Sequence, residues 1–189
     1  MKRSFLALAI VSLLVGLLAS PGVSSAGDFV FAYDDGFQPI PSGNVFASVR
    51  FNHNAQLDGW DHPVPPPALA TTFTAHDTGL YLVTYDLQLT VNGLVGVIDT
   101  CSARIIVTHG TIAAEVAGSQ SHSTVTVAAL SSEHRTVQRS SLVSVSAGDV
   151  LEVQVASNEG LLPLANDGIT ATGAGIVPVG ASITIVRIQ

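Results

Sequence analysis

One lysine, one cysteine and one tryptophan occur in 189 residues. Charged side chains make up 11% of the chain, against about 25% in an average soluble domain. The lysine is Lys2, so Schiff-base, lysine-nucleophile and P-loop chemistry have no usable amine in the body of the chain. Cys101 stands alone and can form no disulfide within the chain; in an exported protein it either is a buried small hydrophobe or forms an intermolecular bond, and because it opens an apolar stretch burial is the expectation. Convincing apolar stripes at helical spacing are missing. Cations are few, and the formal net charge of −7 excludes a polybasic nucleic-acid binder. Hydrophobic residues are 47% of the total, so the chain is not a disordered one either.

The first 26 residues have the layout of a secretory signal peptide. Lys2 and Arg3 precede an apolar run over Phe5–Ala19, and Pro21, Gly22 and the small residues Ser24, Ser25 and Ala26 follow. The run is shorter than the roughly 20 residues of a membrane span. Residues 1–26 are therefore expected to be cleaved, leaving residues 27–189 as one exported domain with no transmembrane span, secreted or held at the cell surface. A domain of that size buries about 68–70% of its unfolded surface, enough to be stable without staples.

Beyond residue 26 the apolar period is two. Tyr81, Val83, Tyr85, Leu87, Leu89 and Val91 alternate with Leu82, Thr84, Asp86, Gln88 and Thr90, which predicts a long strand with one face in a core. Asp149–Ala156 and Ala181–Ile188 read the same way. Further strands are expected over Phe29–Tyr33, Val45–Phe51, Thr71–Thr74, Ala103–Thr108, Ser123–Ala129 and Val137–Val145. Turns are expected at Asp35-Gly36, Asn92-Gly93, Ala147-Gly148-Asp149, Asn158-Glu159-Gly160 and Asn166-Asp167-Gly168. Many strands punctuated by turn residues predict an all-β sandwich or barrel. Asp61–Ala70, with Pro63 and Pro65–Pro67, is expected to be an extended segment outside any ladder, and Leu162–Gly180 a long glycine-rich loop. Several strands carry Ser, Thr, Ala and Val on both faces, as in Ser123–Ala129. Such faces are normally covered, and a second copy of the chain is the simplest cover.

Chemistry-bearing constellations are sparse. His53, His62, His76, His109, His122 and His134 contain no H-x-H or H-x-x-x-H pair. A cupin-like metal enzyme would need two closely spaced histidines, a glutamate and a later histidine; Glu115 between His109 and His122 is too loosely placed. The loop acids Asp34, Asp35, Asp58 and Asp61 suit Ca²⁺ better than a transition metal, without EF-hand spacing. G-x-S-x-G does not occur, and no Ser-His-Asp set or carboxylate pair, such as Asp58 with Asp61 or Glu152 with another acid, is singled out. Trp60, Asp61 and His62 form the candidate ligand site: an aromatic face with hydrogen-bonding neighbours, as a jelly-roll lectin would use for a surface glycan. The residues otherwise point to no catalysis.

Three segments resemble the C1q/TNF-like jelly-roll family. Thr72–Tyr85 is similar to its F-x-x-x-x-x-G-x-Y-x-x-x-Y core, Ser141–Val153 to its L-x-x-L-x-x-G-D-x-V-x-L strand pair, and Gly180–Ile188 to its last strand, particularly in the C-terminal domains of bacterial collagen-like spore-surface glycoproteins. Their order and spacing agree over residues 28–189. The resemblance implies a two-sheet jelly roll of about ten strands that assembles as a homotrimer, does adhesion or coat work rather than catalysis, and binds a cell-surface glycan or protein receptor. It implies that Tyr81 and Tyr85 lie on a central strand, and that Tyr81, Tyr85, Val143, Val145, Val153, Ile183 and Ile185 divide between core and trimer contacts. Some members bind Ca²⁺ near the trimer axis, but no motif here carries that over. The collagen stalk is missing.

Overall fold

The computed structural model describes residues 27–41, 43–63, 70–93, 97–127, 131–158, 168–170 and 179–189. The leader at 1–26, Pro65–Pro67, the Asn158-Glu159-Gly160 turn beyond Asn158 and most of Leu162–Gly180 lie outside them. The described residues form strands and no helix: β1 (Phe29–Asp34), β2 (Gln38–Pro39), β3 (Ala47–Ser48), β4 (His53–Asp58), β5 (Trp60–Asp61), β6 (Thr72–Ala75), β7 (Gly79–Gly93), β8 (Val97–His109), β9 (Ile112–Glu115), β10 (Ser121–Val127), β11 (Ser131–Val145), β12 (Val150–Ser157), β13 (Gly168–Ile169) and β14 (Ala181–Arg187).

Every pairing is antiparallel. One sheet runs β11–β7–β14–β1–β4, with β13 also on β7 and β2 beyond it. The other runs β10–β8–β12–β6–β5, with β9 beside β10 on β8 and β3 beside β6 on β12. Neighbours in space are mostly distant in sequence, so the chain crosses between layers repeatedly, as a jelly roll does.

Alternation explains the core. All six expected inward residues of β7, Tyr81 through Val91, are buried; from the facing sheet come Cys101, Ala103, Ile105, Leu151, Val153 and Val155. Burying each large apolar side chain stabilises the fold by about 1.5–3 kcal/mol before entropy. The Cys101 thiol lies 3.6 Å from the Asp99 carboxylate.

Four sequence expectations need correction. Val45–Phe51 is ladder only at Ala47–Ser48, because Val49 and Phe51 turn inward and their N–H groups donate singly to Val153 O and Ala70 O. Asn92-Gly93 makes no turn, since β11 extends far enough to pair both with Ser132 and Ser131, and tertiary pairing overrides turn propensity. Asp61 pairs with Thr74 instead of standing clear of the ladder. Gly168, expected in a turn of the long loop, opens β13, whose two residues pair with both β2 and β7. The strands β4 and β9, which carry little alternation, were not expected at all.

Candidate assembly face

The register places one lateral row of side chains across five strands of the first sheet. Leu142 lies opposite Leu82, Leu82 opposite Val186, Val186 opposite Phe29, and Phe29 opposite Asp58. The next row is Ser140, Thr84, Thr184, Phe31 and Gln56, and the one beyond it Gln138, Asp86, Ser182, Tyr33 and His53. These residues point away from the core because their strand neighbours (Val30, Ala32, Val83, Tyr85, Ile183 and Ile185) are fully buried. Leu142 is 58% exposed and Leu82 38%, while Phe29, Phe31, Tyr33 and Val186 are half-buried. Phe31 and Tyr33 have ring centroids 6.2 Å apart, and Tyr33 stacks on His53 at 4.7 Å. In the three rows the carboxylates are Asp58 and Asp86, the latter accepting a hydrogen bond from Gln88. The face is thus broad and sparsely charged, apolar at one end and hydroxyl-rich in the middle, where Thr84 and Ser140 share a hydrogen bond of 2.8 Å. A shallow pocket of about 360 Å³, lined by Thr84, Gln138, Arg139 and Ser140, opens beside them.

None of the seven residues that the resemblance divided between core and trimer contacts lies on that face. Tyr81, Tyr85, Val143, Val145, Val153, Ile183 and Ile185 all sit in the subunit's own core. Tyr85 donates to Ala103 O and Ser119 O, and burial pushes its phenol up to about 12, with Arg139 acting in the opposite sense. Tyr81 donates to Asp28; burial, then that hydrogen bond and the Asp28 charge, raise its phenol well above the ordinary tyrosine range.

Trp60, Asp61 and His62 do not make an aromatic sugar platform. Gly59, at φ 73°, turns the chain so that Trp60 enters the core, 2% exposed and edge-on to Tyr81 at 5.1 Å. His62 is buried too; its ring stacks on Phe73 at 4.0 Å, and its nitrogens lie 2.8 Å from Thr72 O and 2.9 Å from Phe51 O. Asp61 alone is at the surface, beside His76. The remaining candidates are dispersed: Asp34 meets Arg50, Asp35 meets His53, and His109 meets Asp149. Among the described residues no three metal-ligating groups converge.

Sequence reasoning overlooked Phe29, Phe31, Tyr33, Leu82 and Leu142 as one surface. Phe29, Phe31 and Tyr33 alternate with Val30 and Ala32, a pattern in which both faces are apolar. That signal, on a strand whose core side was already filled, could have pointed to a second apolar face.

No family model and no curated protein matches the chain. Solved structures do. Murine APRIL, in its crystal structure at pH 5.0, superposes with a TM-score of 0.52 at 10% identity, covering 86% of this chain and 99% of that one. Eiger TNF from S. frugiperda gives 0.51 at 18% identity, covering 86% and 94%. The globular domain of zebrafish complement 1qA protein gives 0.52 at 10% identity, covering 86% and 98%. The chain has the two-sheet jelly-roll fold of the TNF and C1q globular domains.

Proposed function

We propose that residues 27–189 form a non-enzymatic binding module that is exported to the cell exterior and works as a homotrimer, in adhesion or in building a surface coat. The observation that carries this reading is the neutral face formed by Phe29, Phe31, Tyr33, Leu82, Leu142 and Val186. Five adjacent strands present it, and single scattered apolar residues would not need covering, whereas a contiguous patch does. β11 adds a second reason: among the described residues this 15-residue strand pairs only with β7. Long sheet edges invite pairing unless something packs over them. A second copy laid edge to face would cover both features, and such a heterologous contact closes into a ring when three copies complete a full rotation. The likeness of fold to APRIL, Eiger TNF and the complement 1qA domain supports the assembly, and the leader-like residues 1–26 support export. The coat or adhesion role rests on the resemblance of its segments to bacterial collagen-like spore-surface glycoproteins.

Three weak sites on one rigid base gain roughly 10²–10⁴ in apparent affinity for a repetitive surface. The test is retention of the exported chain on arrays of cell-surface glycans and on intact cells, beside Phe31→Asp, with the N-terminus of the exported chain sequenced. The reading expects an N-terminus near Gly27 and retention that Phe31→Asp loses. Equal retention of the two proteins, or an uncleaved leader on a chain that stays inside the cell, contradicts it.

A further inference from the structure

Five arginines are described, and four of them have a carboxylate at salt-bridge distance: Arg50 with Asp34, Arg104 with Glu115, Arg135 with Glu133, and Arg187 with Asp28 and Asp77. Arg139 has none. Its Nε donates to Gly118 O, and in the register the residue stands opposite Tyr85, so its side chain lies on the side of β11 turned toward the second sheet and is exposed at that edge of the sandwich. In a chain with 14 acids against seven lysines and arginines, an arginine without a carboxylate is the exception.

The opposite exception lies across the same sheet. Among the described acids Asp58 alone has neither a cation nor a side-chain hydrogen bond. Asp86 has Gln88, Asp99 has Ser157, and Glu152 has Ser48 and Gln154. Asp58 is exposed at the end of β4, one edge of the sheet, whereas Arg139 is on β11, the other edge. Asp58 shares its row with Phe29 on the outer face.

We propose that Arg139 of one copy pairs with Asp58 of the next, and that this ion pair sets the register of the assembly. The inference rests on the homotrimer reading above. An edge-to-face ring brings the β11 edge of one copy over the β1–β4 side of its neighbour, so unlike charges at the two ends of one sheet meet at every contact. The fork geometry of arginine suits two parallel N–H···O bonds to one carboxylate. Elsewhere on the face the contact is apolar or hydroxyl-lined, with Asp86 held by Gln88, and could slide, whereas one ion pair per interface fixes its position.

Charge reversal and rescue test the pairing. Arg139→Glu, Asp58→Arg and the double variant are compared with the wild type by sedimentation across a dilution series at low and high salt. Each single reversal is expected to weaken assembly by tenfold or more, as about 1.4 kcal/mol per interface suffices for tenfold. The double reversal is expected to restore it to within about threefold, and added salt to narrow the gaps. Circular dichroism confirms that each variant is folded. A wild-type trimer unaffected by Arg139→Glu overturns the pairing, as does a double variant no tighter than the two singles. A monomeric wild type would instead overturn the assembly reading itself.

Discussion

The Tyr81 hydroxyl donates to Asp28 Oδ2 at 2.6 Å, joining residues 53 apart in sequence. Arg187 Nη1 reaches the same oxygen at 3.4 Å and also meets Asp77, while its Nη2 donates to Thr78 O. The start of β1, the start of β7 and the end of β14 are thus tied at one end of the sandwich. This tie holds the strands whose outer residues form the candidate assembly face.

Tyr81→Phe keeps the ring against Trp60 and removes only the donor. A hydrogen bond to a charged group contributes about 1.5–3 kcal/mol, so a loss of about 2 kcal/mol is expected in denaturant unfolding. Asp28→Ala should cost at least as much. The double variant should fall short of the sum, because the two side chains act on one another.

Alkaline titration reads the second buried phenol. Tyr85 ionises at about 12 in the folded chain and at 10 when unfolded. Between those values the unfolded state has released a proton that the folded state keeps, so stability is full below pH 10 and falls as pH rises toward 12. Two units correspond to about 3 kcal/mol. Thermal melting followed over this range should show the fall, and Tyr85→Phe should make it shallower.

Two glycines at positive φ separate backbone strain from crowding. Gly59 and Gly118 have φ of 73° and 76°. A Cβ on Gly59 would lie 2.4 Å from Asp28 Cγ, whereas one on Gly118 would meet nothing within 4 Å. Gly118→Ala should therefore cost only the left-handed penalty of about 1–2 kcal/mol. Gly59→Ala should cost clearly more, since Asp28 is tethered by Tyr81 and Arg187. Equal melting temperatures for the two variants would contradict this.

Much of the fold was legible because its strongest signal is local. Tyr81 to Val91 alternates without a break, and burial follows that alternation residue by residue. The strand β4 was invisible because His53–Asp58 lies at a sheet edge, mostly exposed, where no face is selected for apolar residues. Trp60 misled because a lone tryptophan between glycine and aspartate looks like a surface residue; only the turn at Gly59 and the space beside Tyr81 send it inward. The candidate face was half legible, as sparsely charged strands. Which residues lie together depends on the β7–β14–β1 register, which joins segments about 100 and 150 residues apart. The isolation of Arg139 and Asp58 could not be read at all, since it depends on where every other charge finds its partner.

The molar mass of residues 27–189 in solution, measured by multi-angle light scattering at micromolar concentration beside Leu82→Glu, bears most directly on the account. Three times the subunit mass for the native sequence, with a folded single subunit for the variant, is the expected result. A folded native chain that elutes as one subunit, or a variant that assembles as well as the native chain, would contradict it.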